Sequence, residues 1–407
     1  MPVPSYWRMM CRAYQLTLCA TTYLLRWRTP TIIQGAGSLA KLPNLVRGAR
    51  LQKGLLVTDA VVMRLGLVDS FIDEMNKQST ELVIYKDVLP NPTVDMVEEA
   101  NALYKTNKCD YIVAVGGGSV IDCAKLIGVR QARPRTALLY TRGLFRVLWP
   151  LPPLIAVPTT AGTGSECTIG AVVWDPARND KFAIMDPFLT PSHCVLDPVL
   201  TVTMPKFVTA TTGMDALTHV VEAYLNIFHF RTVDKTALSA MELIAKYLPC
   251  VYKDGTNLEA REKMLQASYF AGLSFTRAGV GNVHAAAHAL GGLYNVPHGY
   301  ANAVILPHLL NMYGSAAHRS LARLAEAANI PGANDADKAA NFIMWVREMN
   351  VLMEIPTTFS AGDPRWTLHK KDIPFLAKHA VTEANPLYSV PVIFGEEEMT
   401  ELFHRIM

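Results

Sequence analysis

The sequence predicts two regions of different fold class, an α/β region followed by an all-helical region. As far as about residue 198, apolar segments of four or five residues alternate with helical segments, which is typical of a parallel sheet with helices on both faces. Beyond that point the apolar residues recur almost throughout at the spacing of a helix. We therefore divide the chain into an N-terminal extension (1–29), an α/β domain (30–199) and an all-helical domain (200–407).

Short apolar segments define the predicted strands and helices. The strands span residues 31–34, 55–58, 82–85, 111–115 and 154–157, and the helices between them span 39–47, 68–77, 93–106 and 120–129. Later segments with helical periodicity are 236–248, 259–273 and 320–329. The stretch Arg130–Trp149 contains five Arg and no acidic residue, and it fits neither period.

Composition and charge narrow the class of protein. The chain has 407 residues, half of them hydrophobic, and a net charge of only +3, so we expect no nucleic-acid partner. No apolar run reaches the length of a membrane span, and we expect no membrane partner. The seven Cys show neither a metal-binding nor a disulfide spacing, which indicates reduced thiols inside the cell.

The charges in the first part of the chain are all basic, because Asp59 is the first acidic residue. An acid-free start with Arg, Ser and Thr is typical of an organellar presequence. The segment 13–25, however, carries Gln and several Thr, which makes a poor signal-peptide core. An N-terminal extension without a targeting role explains the same composition. We therefore expect a cytoplasmic protein and leave organellar targeting open.

Two glycine-rich turns are candidates for binding the phosphates of a dinucleotide. Gly35–Ala40 fits the G-x-G-x-x-A pattern, and Asp59 follows at a suitable distance. Gly116–Ser119 lies between a stronger strand and a stronger helix, whose N-terminus attracts phosphate. A tight turn without a ligand has the same sequence, but we favour Gly116–Ser119. A carboxylate at Asp59 accepts from the ribose 2′-hydroxyl of NAD and repels the 2′-phosphate of NADP.

A turn rich in hydroxyl groups, Pro158–Glu166, directly follows the strand at 154–157. Open α/β sheets bind ligands at the carboxyl ends of their strands. The Thr and Ser side chains of this turn therefore indicate a binding loop, and an ordinary Ser/Thr turn is the alternative.

Five polar side chains in the helical region have the spacing of a metal site. Asp215 and His219 are four residues apart, as are His284 and His288, so each pair lies on one face of a helix. His298 follows on a loop after a Pro. Oxygen and nitrogen ligands without thiolate suit Fe, Zn, Mn, Co or Ni. A single His on an apolar helix is usually a core residue, and spacing does not say which four of the five groups bind.

Together these segments resemble the iron-containing (group III) alcohol dehydrogenase family, from about Pro30 to the C-terminus. The motifs occur in the family's order, at Gly116–Lys125, Pro158–Glu166, Thr212–Glu222, His284–Gly292 and Pro297–Gly299. The resemblance implies a dehydroquinate-synthase-like fold. In that fold an α/β N-terminal nucleotide-binding domain precedes an all-α C-terminal metal-binding domain.

The resemblance also implies the residues of the site. It assigns Fe²⁺, or alternatively Zn²⁺ or another divalent metal, to Asp215, His219, His284 and His298. It assigns NAD to Asp59, Gly116, Gly117, Gly118, Ser119, Asp122, Thr159, Thr160, Thr163, Ser165 and Lys181. Phe275 and Asn282 would face the substrate, and Gly35–Ala40 would lie in a strand region away from the phosphates.

The implied activity is that of an NAD-dependent alcohol dehydrogenase or aldehyde reductase acting on a small alcohol or aldehyde. His288 would relay a proton or, alternatively, only orient the site. We expect a homo-oligomer, a dimer or larger. One alternative is a lyase resembling dehydroquinate synthase. Another is a catalytically impaired protein that binds NAD and metal, because Arg130–Trp149 and Asn282 depart from the family's usual character.

Overall fold

The computed structural model describes residues 3–25, 27–78, 80–178 and 180–407, and it forms two compact units. The α/β unit comprises residues 27–204 and 256–272. The helical unit comprises residues 1–26, 205–255 and 273–407, so it includes most of the segment 1–29 that is predicted as an extension. The predicted domain limits at residues 30 and 200 stay predictions.

Strands alternate with helices as far as residue 196, and a run of helices follows from residue 206, as the sequence predicts. The helices are α1 (Ser5–Tyr23), α2 (Leu42–Gly48), α3 (Ala60–Arg64), α4 (Asp69–Lys77), α5 (Val94–Thr106), α6 (Gly118–Ala132), α7 (Lys206–Leu225), α8 (Arg231–Lys253), α9 (Leu258–Ala278), α10 (Asn282–Tyr294), α11 (His298–Tyr313), α12 (His318–Ala327), α13 (Asp335–Leu352), α14 (Ile373–Ala384) and α15 (Glu396–Ile406). The strands are β1 (Thr31–Gln34), β2 (Lys53–Val57), β3 (Glu81–Tyr85), β4 (Tyr111–Gly116), β5 (Gly143–Leu144), β6 (Leu154–Pro158), β7 (Gly170–Asp175), β8 (Asp180–Met185) and β9 (His193–Leu196). Among the described residues, no helix has both the length and the apolar character that crossing a membrane requires.

The main sheet of the α/β unit is parallel. Within the described chain it has six strands in the order β1-β9-β6-β4-β2-β3, and all their pairings are parallel. The chain steps outward from β2 to β3 and then returns to the other side of β2 with β4. Ligands of open α/β sheets bind at the carboxyl ends of strands where the order reverses in this way. The predicted strands are all present, and the sequence missed β5, β7, β8 and β9.

Both faces of the central strands are buried against helices. Leu55 and Ile112 belong to one core, together with side chains of α5 and α6. Their neighbours Leu56 and Val113 belong to a second core, with side chains of α2 and α4. Successive residues on a strand point to opposite faces, and here both faces are apolar. This explains why the strands read as continuous apolar runs.

Helix α7 lies in the interior of the helical unit. From Thr209 onward most of its residues are buried, and it packs against α8 and α11, while α10 packs against α11 and α14. A helix that is apolar on all sides is buried on all sides. The polar side chains that α7 does carry are therefore removed from water and need partners inside the protein.

The stretch Arg130–Trp149 is ordered by its arginines. Arg130 Nε donates to Glu98 Oε1 at 2.5 Å, and Arg133 Nε donates to the Val147 carbonyl oxygen at 2.5 Å. Arg142 donates to the first residue of β8 at 2.5 Å. Because side-chain hydrogen bonds and the two-residue strand β5, paired with β8, hold this segment, it has no periodicity that the sequence could reveal.

Candidate metal centre and nucleotide site

Helix α7 presents an acidic residue and a histidine on the same face. Asp215 and His219 are separated by one turn, and each is at most 4% exposed. His219 Nε2 lies 4.0 Å from Asp215 Oδ1. Glu222 follows three residues later on the same face, so α7 carries two buried carboxylates beside one imidazole.

Two further helices bring imidazoles to the same carboxylate. Asp215 Oδ1 lies 3.9 Å from His284 Nε2 on α10 and 3.6 Å from His298 Nε2 on α11. His298 is the first residue of α11, whereas the sequence suggested a loop. One ligand atom from each of Asp215, His219, His284 and His298 lies within 4.8 Å of the others. One carboxylate oxygen and three imidazole nitrogens fit a divalent ion such as Fe²⁺ or Zn²⁺.

Glu222 orients His284. Its carboxylate lies 2.6 Å from His284 Nδ1 and accepts the backbone N–H groups of Gly281 and Val283 at 2.7 Å each. Burial raises the pKa of Glu222 to about 7, while these backbone amides favour its charged form. Burial and the neighbouring imidazoles lower the pKa of His284 well below its ordinary value. The neutral ring thus turns Nε2 toward Asp215, as a metal ligand requires.

Asn302 holds the other side of the cluster. It lies one turn after His298 on α11 and is fully buried. Its Nδ2 donates to Asp215 Oδ1 at 2.7 Å and lies 3.2 Å from His298 Nε2. The Asp215 carboxylate is therefore fixed by a neutral amide, which leaves its negative charge available to a cation.

His288 lies beside the four candidate ligands. Its ring stacks on that of His298, with centroids 5.0 Å apart and planes inclined by 20°. His288 Nδ1 lies 2.6 Å from Glu383 Oε1, which also accepts the Tyr388 hydroxyl at 2.8 Å. Burial favours neutral Glu383, but the His288 ring and these hydrogen bonds outweigh it and hold the pKa of Glu383 below its ordinary value. With Nδ1 held in this way, Nε2 is the nitrogen that can exchange a proton.

The two residues expected at the substrate have different surroundings. The Phe275 ring stacks on His219, with centroids 4.1 Å apart and planes inclined by 18°, and it is half-buried. Asn282 is 1% exposed and donates to the Val392 carbonyl oxygen at 3.3 Å. Phe275 therefore borders the ligand cluster, while Asn282 lies inside the core at the start of α10. Contact of either with a substrate stays a prediction.

In the α/β unit, Asp59 and Gly117 follow neighbouring strands at the point where the strand order reverses. Gly117 precedes the first residue of α6, with φ −75°. Asp59 precedes α3, and its Oδ1 accepts two backbone amides of that helix at 2.8 and 2.9 Å. Thr58 Oγ1 donates to the Val115 carbonyl oxygen at 2.8 Å, which ties the two strand ends together. The predicted ribose-binding and phosphate-binding residues are thus neighbours.

The hydroxyl-rich turn packs on the second glycine loop. Thr159 N donates to the Gly116 carbonyl oxygen at 3.0 Å. A Cβ added at Gly118 would meet the Thr163 side chain at 2.7 Å, whereas one added at Gly117 would stay 3.5 Å from Thr160. Glycine is therefore required at residue 118 by the protein itself, and at residue 117 the protein leaves space.

The remaining predicted nucleotide residues are connected to one another by hydrogen bonds. Ser165 Oγ donates to Asp122 Oδ1 at 2.6 Å, and burial raises the pKa of Asp122. Lys181 Nζ donates to Asn91 Oδ1 at 2.7 Å, and Asn91 N donates to Ser119 Oγ at 3.3 Å. Asp122 and Ser165 tie α6 to the turn, while Ser119 and Lys181 meet at Asn91.

The first glycine loop uses its amides internally. Gly37 N and Leu39 N each donate to the Asp197 carboxylate at 3.0 Å, and Asp197 is 2% exposed. A buried side-chain carboxylate thus takes the amides that a phosphate would need. This arrangement supports the prediction that Gly35–Ala40 is not the phosphate site.

Comparisons with known proteins agree with this geometry. The family described as iron-containing alcohol dehydrogenase matches residues 29–198, and its C-terminal part matches residues 209–407. The chain is 37% identical to 1,3-propanediol dehydrogenase of Klebsiella pneumoniae, over 87% of this chain and 91% of that protein. It is 35% identical to the NAD-dependent methanol dehydrogenase of Bacillus methanolicus, over 88% and 94%. A crystal structure of 1,3-propanediol oxidoreductase superposes with a TM-score of 0.89 and 35% identity, covering 94% of this chain and all of that one.

The four-residue cluster predicts where metal is lost on substitution. His219→Ala or His298→Ala removes a ligand and should abolish most of the bound metal. Glu222→Gln should weaken metal affinity by roughly 10–100-fold, because His284 loses its orienting carboxylate. Elemental analysis and chelator competition measure both effects, with His404→Ala on the exposed face of α15 as the control. Full metal content in both His219→Ala and His298→Ala would contradict the assignment.

Proposed function

This chain belongs to the iron-containing alcohol dehydrogenase family, and we propose that it transfers hydride between a small alcohol and NAD at the Asp215–His219–His284–His298 cluster. The predicted family, fold class and oxidoreductase activity on CH–OH groups are confirmed. The observation that carries the proposal is the convergence of one buried carboxylate and three imidazoles from three helices. The named relatives act on propanediol and methanol, which supports a small alcohol as the substrate class.

The protein's own residues supply binding, orientation and a proton path. A divalent ion held by Asp215, His219, His284 and His298 would supply polarisation of an alcohol oxygen, and bound NAD would supply the hydride acceptor. His288 takes up the alcohol proton at Nε2, because Glu383 Oε1 holds its Nδ1 at 2.6 Å. Phe275 covers one side of the cluster by stacking on His219.

Steady turnover with simple alcohols is the direct test of this function. Metal-loaded protein should reduce NAD steadily with short primary alcohols and oxidise NADH with the matching aldehydes. Apo-protein prepared by chelation should be inactive and recover when metal is restored. A protein that binds NAD and metal yet turns over none of these substrates would contradict the proposal. Turnover of only the substrate of a dehydroquinate synthase, the lyase alternative, would also contradict it.

We propose further that NAD binds along Gly116–Ser119, Pro158–Glu166 and Asp59. The N-terminus of α6, which begins in the second glycine loop, supplies the partial positive charge that a pyrophosphate needs. In the first glycine loop, Asp197 accepts the amides of Gly37 and Leu39. Asp122, Ser165 and Lys181 act by holding this surface in shape, through the hydrogen bonds they make within it.

The two glycine loops offer a matched pair of substitutions. Gly117→Ala should weaken NAD binding, because a methyl group blocks close approach of the phosphate while the protein itself has room for it. Gly37→Ala should lower stability by about 1 kcal/mol through its φ of +74° and leave NAD affinity unchanged. Calorimetric titration with NAD and thermal unfolding separate the two effects. Normal binding by Gly117→Ala together with loss of binding by Gly37→Ala would place the phosphates on the other loop.

Asp59 should select NAD over NADP by charge. Asp59→Asn keeps an oxygen that can cap α3 but removes the repulsion of the 2′-phosphate. We expect the variant to unfold at the same temperature and to use NADP with a higher kcat/KM. A higher kcat/KM with NADP than with NAD in the unsubstituted enzyme would show that Asp59 does not exclude the phosphate.

The assembly and location of the enzyme are also proposals. We infer a homo-oligomer, a dimer or larger, and a cytoplasmic location, from the sequence alone. Sedimentation of the purified protein tests the first, and imaging of the tagged full chain tests the second.

A further inference from the structure

Helix α1 is built into the helical unit, although it precedes residue 29, where the family match begins. Cys11 and Gln15 are fully buried on its inner face, while most of its other side chains are exposed. A buried glutamine needs hydrogen-bond partners from the surface it packs on. The hydrogen-bond partners of Gln15 therefore show which part of the helical unit α1 contacts.

Gln15 and its neighbour Arg12 donate to backbone carbonyl oxygens of residues 388–392, here called the anchored segment. Gln15 Nε2 donates to the Tyr388 carbonyl oxygen at 2.7 Å. The Arg12 guanidinium donates to the carbonyl oxygens of Val390 and Pro391 at 2.8 and 2.9 Å. Arg12 also donates to Gln15 Oε1 at 2.8 Å, so the two side chains act together. Hydrogen bonds from a charged donor are about twice as strong as neutral ones.

The anchored segment reaches the predicted site at two points. The Tyr388 hydroxyl donates to Glu383 Oε1 at 2.8 Å, and the same oxygen lies 2.6 Å from His288 Nδ1. The Val392 carbonyl oxygen accepts from Asn282 Nδ2 at 3.3 Å, at the start of the helix that carries His284 and His288. A continuous set of contacts thus leads from α1 through the anchored segment to the His288 ring.

The anchored segment lacks regular secondary structure, so its position depends on such contacts. The Ser389 carbonyl oxygen accepts from Ile227 N at 3.0 Å, and that of Tyr388 accepts from Val390 N at 3.0 Å as well as from Gln15. The carbonyl oxygens of Val390 and Pro391 accept from Arg12. Removing Arg12 would take this donor from both carbonyl oxygens and loosen the chain that directly follows Tyr388.

We propose that Arg12 and Gln15 are positioning residues for the reaction: they hold the anchored segment so that Tyr388 and Glu383 keep the His288 ring in its proton-accepting orientation. The inference rests on the proposed role of His288 as the proton relay. In this proposal α1 contributes to catalysis, although the helix lies outside the region that matches the family. Displacement of a catalytic group by about 1 Å can lower a rate by about 100-fold.

The test compares Arg12→Ala, Gln15→Ala, Tyr388→Phe and the double variant Arg12→Ala/Tyr388→Phe, all loaded with metal. Arg8→Ala, on the exposed face of α1, is the matched control. We expect Arg12→Ala and Tyr388→Phe each to lower kcat by roughly 10-fold, with metal content and KM for NAD unchanged. The double variant should be no slower than the slower single variant, because both substitutions release the same contact path. Arg12→Lys keeps one donor and should recover part of the rate.

Each outcome decides the inference. Unchanged kcat in folded, metal-loaded Arg12→Ala would overturn it, as would multiplicative losses in the double variant. If Arg12→Ala does not fold, Gln15→Ala and Arg12→Lys decide by the same kcat criterion. The variant His288→Ala distinguishes failure of the proton relay from failure of the positioning role of α1. Full kcat in that variant refutes the relay itself, whereas a slow His288→Ala beside a fast Arg12→Ala refutes only the role of α1.

Discussion

The burial of two carboxylates on α7 is the constraint on which the site depends. Asp215 and Glu222 lie on a helix that is buried on nearly all sides, where an uncompensated charge is costly. Glu222 is compensated by backbone amides at the start of α10 and by His284. Asp215 is surrounded by a neutral amide and three imidazoles, so a bound cation is needed to compensate its negative charge. The same contacts therefore determine both how α7, α10 and α11 pack and which side chains form the metal centre.

The sequence revealed the parts of this arrangement that have a local period. Asp215 and His219 share a helix face through their spacing, as do His284 and His288, and the strand at 111–115 predicted its own burial by continuous apolarity. The same spacing argument reaches Glu222, which lies three residues after His219. Nothing local in the motif Thr212–Glu222 identifies Glu222 as the partner of His284, because its hydrogen bonds connect residues about sixty positions apart.

Other parts carried no local signal. Glu383 lies 95 residues from His288, and nothing near it in the chain marks it as a partner. Helix α1 lies in the predicted N-terminal extension, and its contacts to the helical unit through Arg12 and Gln15 leave no apolar stripe in the sequence. The strands β7 and β8 were missed because they are half-exposed and follow a segment ordered by arginine side chains. For Glu383 and for α1 the deciding contact is polar and distant in sequence.

The identity of the atoms around the bound metal tests the central claim most directly. Protein reconstituted with iron should give an X-ray absorption fine structure that is fitted by imidazole nitrogens and a carboxylate oxygen at about 2.0–2.2 Å, with three imidazoles per ion. Sulfur in the coordination shell, or a single imidazole, would contradict the assignment of Asp215, His219, His284 and His298 as the ligands.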